Sequence, residues 1–215
     1  SGLGRDLVEG LRYAVGHPGI GPLLALLVIT NLFGRPFVEL LPGFAAEVFA
    51  AGPEGLAVMT SAIGCGAIVA GTWLAGREGT DGLVTVTVAS TLLLALTIVL
   101  FVSADRLILA LPVLAVSGMV MVGAGVGTHT LLQLAVTPAM RGRVLSLYGL
   151  IFRGGPALGA LLMGPIADRL GLAWPVAAGA AVLAVGATLL MTRRQRLAEG
   201  LLGGESGAVG SRIKG

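Results

Sequence analysis

Apolar residues in this chain run on rather than alternate. Six continuous apolar stretches cover residues 20–42, 56–75, 83–102, 107–136, 144–167 and 174–191. Each is close to or above the length of about 20 residues that carries a helix across a bilayer. A barrel strand would be short, with every second residue polar, so the pattern predicts an all-α integral membrane protein with six transmembrane helices. The connections are short, which makes neighbours in sequence antiparallel neighbours in space. Ahead of the first span, residues 5–16 have a different rhythm. Leu7, Leu11, Ala14 and Val15 fall on one side, while Arg5, Asp6, Glu9 and Arg12 keep the other polar. That spacing predicts a helix lying on the membrane surface, ended by Gly16, His17 and Pro18, with His17 a boundary residue rather than a ligand.

The organisation expected is therefore an amphipathic linker helix over residues 1–18, a six-helix bundle over 19–192 and a Gly- and Ser-rich disordered tail over 193–215. Lysine and arginine give the orientation. Arg5 and Arg12, then Arg77, then Arg141 and Arg143, then Arg193, Arg194, Arg196, Arg212 and Lys214 all fall on one side of a six-span topology. The other side has Arg106 and Arg169 beside Glu47, Glu54, Asp105 and Asp168. Both ends are thus expected in the cytoplasm, with the linker and tail on that side. Trp73 and Trp174 stand near span ends, where indole rings favour the headgroup zone.

Composition agrees. Of 215 residues 55% are hydrophobic and 12% charged, against about 25% charged in soluble domains, and the mean hydropathy is +0.95. The 35 glycines suit close helix packing in lipid. The net charge of +3 is small and gives no reason to invoke nucleic acid. A single cysteine, Cys65, excludes an internal disulfide and a cysteine-rich metal site. Between Gly64 and Gly66 it reads as a small core residue. The opening at Ser1, without a charged leader, suggests a piece excised from a longer protein.

The informative positions are the polar ones inside the spans. The stretch 31–44, Asn31-Leu-Phe-Gly-Arg-Pro-Phe-Val-Glu-Leu-Leu-Pro-Gly-Phe, sets Arg35 and Glu39 in an apolar run. A charge at bilayer depth costs about 2.5–3.5 kcal/mol even on lenient scales. One turn apart, the two can partly neutralise each other. Pro36 removes a backbone donor and predicts a bend or opening there, and Pro42 a second break. Irregular polar backbone at membrane depth belongs against protein or a water-filled cavity. Arg35 and Glu39 are therefore candidates for a substrate or proton pathway, with a structural ion pair as the alternative. Arg153, about 13 Å into its span at 1.5 Å per residue, is either a cavity charge or a structural anchor. His129 and Gln133 share a face of the fourth span, and His129 is either a proton carrier or a packing residue. Gly155–Gly159 and Ala160–Gly164, with Pro156 between, have the small-xxx-small spacing that lets another helix approach.

Several chemistries are excluded. Ser117 and His129 lie about 18 Å apart along one helix axis, beyond the contact that a nucleophile and its base require. The run Gly123, Gly125, Gly127 lacks the last glycine and the preceding strand of a dinucleotide fingerprint. No HExxH motif is present. No catalytic residue, metal ligand or cofactor is expected, and the chain is not read as an enzyme.

Three stretches together resemble the C-terminal half of a major facilitator superfamily (MFS) transporter, in the bacterial branch of enterobactin-type siderophore exporters and multidrug efflux proteins. Residues 31–44, with Asn31, the Arg35-Pro36 pair and Glu39-Leu-Leu-Pro42, look like that branch's seventh helix. Gln133 through Thr137-Pro138-Ala-Met-Arg141-Gly-Arg143-Val-Leu-Ser-Leu-Tyr148 looks like the tenth helix and the loop after it. Gly155-Pro156-Ala-Leu-Gly159 through Gly164-Pro-Ile-Ala-Asp168-Arg169 looks like the eleventh. The loop Gly71-Thr-Trp-Leu-Ala75-Gly-Arg77 departs from the superfamily's signature, with alanine at the acidic position and an incomplete basic pair. The resemblance implies two inverted three-helix repeats, spans one to three and four to six, with the first and fourth lining a cavity. It implies alternating access driven by an ion gradient, most simply protons, and efflux of small molecules such as drugs or siderophores. It also implies an N-terminal six-helix half as partner, a bacterial inner membrane, and Arg77, Arg141 and Arg143 at a cytoplasmic gate. The competing expectation is a six-span scaffold that transports nothing.

Overall fold

The computed structural model describes residues 3–76, 79, 82–193 and 195. Arg77 and nearly all of the expected tail lie outside them. The described chain is all-helical. It comprises α1 (Leu3–Gly16) and six helices long and apolar enough to span a membrane: α2 (Ile20–Val48), α3 (Gly52–Ala75), α4 (Leu83–Val102), α5 (Leu107–Ala135), α6 (Arg141–Leu170) and α7 (Ala173–Thr192).

Five of these spans begin and end within about one turn of the expected positions. The first does not: it runs on to Val48 rather than stopping at 42. Pro42 sits in the first turn of a short helical segment, Leu41–Gly43, where a missing N–H is least harmful. The chain then rewinds through a wide turn over Phe44–Val48. Before Pro36 the span widens as expected. Over Thr30–Gly34 the turn opens, and the Arg35 N–H reaches back five residues to Thr30 O at 2.8 Å.

The helices pack as one bundle. α5 lies between α3 and α4, α4 also packs on α7, and the opened turn of α2 rests on α6 and α7. α3 and α5 meet backbone to backbone. A Cβ on Gly66 would strike Ala115 O, and one on Gly118 would strike Ile63 O. Cys65, beside Gly66, is exposed, so the core reading of that cysteine is corrected; its glycine neighbour makes the helix contact.

The two larger of three hydrophobic clusters stack along the bundle. At the α1 end Ile20, Leu23, Leu27, Leu131, Leu132 and Val144 interlock. At the other end Phe101 is surrounded by Phe37, Phe44 and Phe49, with ring centroids 4.8–6.1 Å away. α1 rests on α6 through buried Gly10 and Ala14, whereas Leu11 and Val15 of the expected apolar face point outward. Arg143 fixes this contact with an ion pair to Glu9, Nη1 to Oε1, at 3.0 Å. His17 Nδ1 accepts from the Gly19 and Ile20 N–H groups at 3.2 and 3.3 Å, so this histidine starts α2. Trp73 and Trp174 are 57% and 69% exposed at span ends, consistent with headgroup positions.

Candidate functional site

Between the two cores the bundle is open. A groove of about 700 Å³ is lined by Arg35 of α2, Ile63 and Ala67 of α3, Val122, Val126 and His129 of α5, and Leu145, Tyr148, Phe152 and Arg153 of α6. Behind it lies a cavity of about 10 Å³, bounded by Leu27, Thr30, Asn31, Leu94, Ala124 and Thr128. Arg35, Met121, Gly125 and Phe152 line both spaces and form the wall between them.

The wall is held from both sides. The Arg35 guanidinium lies 4.4 Å from the centre of the Phe152 ring, a cation–π geometry. Phe152 in turn stacks on Tyr148, one turn earlier on α6, with centroids 5.5 Å apart and planes 17° from parallel. The Tyr148 ring meets His129 at 4.9 Å, and its hydroxyl donates to Gly125 O at 3.2 Å, tying α6 to α5. Gln133 Nε2 stands 3.4 Å from His129 Nε2. A continuous column thus runs from Gln133 through His129, Tyr148 and Phe152 to Arg35. Asn31 is 1% exposed; its Nδ2 donates to Leu27 O at 2.8 Å, while its Oδ1 has no partner.

Arg35, His129 and Arg153 therefore meet in one groove, with Asn31 in the small cavity behind. Gln133 joins through His129. Glu39 stands apart: it is exposed and outside both cavities. No ion pair joins it to Arg35. The Val38 N–H bonds to Arg35 O, three residues back, at 3.0 Å. That turn is wound more tightly than the α-helix that would stack residues four apart; Glu39 acts on Arg35 through its charge without a direct ion pair.

Of the glycines and prolines singled out, Gly155 and Gly159 face α2. A Cβ on Gly155 would come within 2.8 Å of the Asn31 Cβ, and one on Gly159 would strike Leu32 O and Pro36. Pro36 and Pro156 are buried; Pro42 is exposed. Gly164 has nothing within 4 Å of where a side chain would begin, so among the described residues no helix rests on it. Arg141 is exposed at the start of α6, and Arg143 is engaged with Glu9. Tyr148 and Phe152 are site residues that sequence reasoning passed over. Their spacing of four, one residue ahead of an intramembrane arginine, is the signal that marks them.

The family model described as transmembrane secretion effector matches residues 1–201. No curated protein and no solved structure matches the chain.

Proposed function

The chain belongs to the transmembrane secretion effector family, of the MFS type, and from that membership we propose that it forms the C-terminal half of a secondary transporter that exports small molecules such as drugs or siderophores. In this reading a second six-helix half faces the groove. The two halves rock about it to expose the site to either side of the membrane in turn. Protons supply the driving gradient, with His129 as the carrier in the groove and Glu39, outside it, as a second candidate. Arg35 and Arg153 face the substrate, and Asn31 and Gln133 hold the column in place. Arg141 and Arg143 mark the cytoplasmic end.

The observation that supports this reading best is the meeting of Arg35, His129 and Arg153, from three different spans, on one open groove. Ionisable groups inside a membrane are functional by default, and a scaffold has no cause to gather three on one surface. The test is efflux of a fluorescent dye panel from cells that make the full-length protein. Export above that of cells lacking it, abolished by a protonophore and lost in Arg35→Gln at equal protein level, is the expected result. Dye retention equal to that of cells lacking the protein would end the transport reading.

A further inference from the structure

The charges around the groove do not balance. Arg35 and Arg153 line it, and no aspartate or glutamate lines either cavity among the described residues. Neither arginine forms an ion pair among the described residues. The described carboxylates lie elsewhere. Glu9 is held by Arg143, Glu39 acts on Arg35 through its charge but is exposed, outside the groove and not in direct contact, and Glu47, Glu54, Asp105 and Asp168 are exposed at span ends or in the connections between them. Arg35 is meanwhile half-buried and rests on an aromatic face. A guanidinium taken out of water keeps all its N–H donors and pairs best with a planar oxyanion, through two parallel hydrogen bonds.

The remaining surface has a different character. Ile63, Val122, Val126, Leu145 and the rings of Tyr148 and Phe152 give the groove apolar walls. Directly behind Arg35 the buried Asn31 Oδ1 is an acceptor without a donor among the described residues. The cavity it lines has the volume of about one water molecule. It can receive a water.

We propose that the groove binds an organic anion with an apolar, ring-bearing body, its carboxylate-like head between Arg35 and Arg153 and its body along Tyr148 and Phe152. This rests on the transport reading for its purpose but not for its test, which measures binding alone. A volume of about 700 Å³ lies in the range of sites that enclose drug-sized molecules.

The experiment is calorimetric titration of the purified full-length protein with three probes of matched shape: naphthoate, its methyl ester, and the corresponding naphthyl trimethylammonium cation. Naphthoate is expected to bind on the order of ten-fold or more tightly than either analogue, in line with a charge-assisted pair. That preference should disappear in Arg35→Gln and shrink in Arg153→Gln, and Arg35→Lys should keep only part of it. Should Arg35→Gln fail to fold, the solvent-facing Arg153→Gln carries the test. Equal binding of all three probes, preference for the cation, or a preference that survives both substitutions together would overturn the proposal; the cationic outcome would mean that a carboxylate of the other half answers Arg35. Anion-selective binding without dye export would keep the ligand class and remove the transporter. Export of dyes regardless of charge would do the reverse.

Discussion

The third and first spans treat polar groups in opposite ways. α4 carries Thr87, Thr91 and Thr97, all buried, and each hydroxyl bonds to a carbonyl of its own helix, at 2.8–3.0 Å. These side chains ask nothing of their neighbours, and α4 is an unbroken helix against α5 and α7. α2 is opened and rewound, carries Asn31 with an unanswered acceptor, and spends its arginine on a ring of another helix. One span is a closed account of hydrogen bonds. The other leaves groups free to meet something that is not part of this chain, as function demands of polar residues in lipid.

The comparison can be broken at several places. The largest effect is expected from Gly118→Leu, which drives α5 off the Ile63 backbone. Overpacking of this kind costs about 1–3 kcal/mol or more, so the purified protein should elute as aggregate or unfold well below the parent temperature. Arg35→Gln should leave that unfolding temperature nearly unchanged while lowering export on the order of 30-fold, the scale for losing one side of a buried charge contact; an equally large fall in thermal stability would make Arg35 structural. Phe152→Leu keeps the bulk and removes the ring beneath the guanidinium. A cation–π contact is worth about 0.5–2 kcal/mol, so affinity should fall by a factor of roughly three to thirty, as read by dye competition. Thr91→Val on α4 is the control. Because the hydroxyl serves only its own helix, stability should move by less than about 1 kcal/mol and export not at all. The smallest change belongs to Glu9→Gln. Its partly exposed pair with Arg143 contributes about 0–1 kcal/mol, and a double-substitution cycle with Arg143→Gln should return a coupling in that range.

The span count, the amphipathic α1 and the opening before Pro36 were legible because hydropathy and proline chemistry act locally. The family resemblance puts Arg35 and His129, on the first and fourth spans, beside one cavity, whereas Arg153 on the fifth span reads from sequence as either a cavity charge or an anchor. Two other matters were not legible. Pairing Arg35 with Glu39 assumes regular α-helical winding, and the tight turn at Val38 breaks that assumption. Tyr148 and Phe152 look like ordinary membrane aromatics until the fold brings Arg35 over one ring and His129 against the other. Gly155 and Gly164 have the same spacing pattern around them, yet only Gly155 faces a neighbouring helix. Which side of α6 meets α2 is a property of the bundle, not of the repeat.

Pro36 has one more consequence, mechanical rather than chemical. A helix resists bending because flexing it stretches hydrogen bonds on one side. In α2 the bond from residue 36 to Leu32 O cannot exist, and the turn before it is already widened. Bending there stretches nothing that a straight helix would have relied on. The regular helix Ile20–Ile29 is the stiff part of the span, and the compliant stretch begins at the level of Arg35, one residue before Pro36.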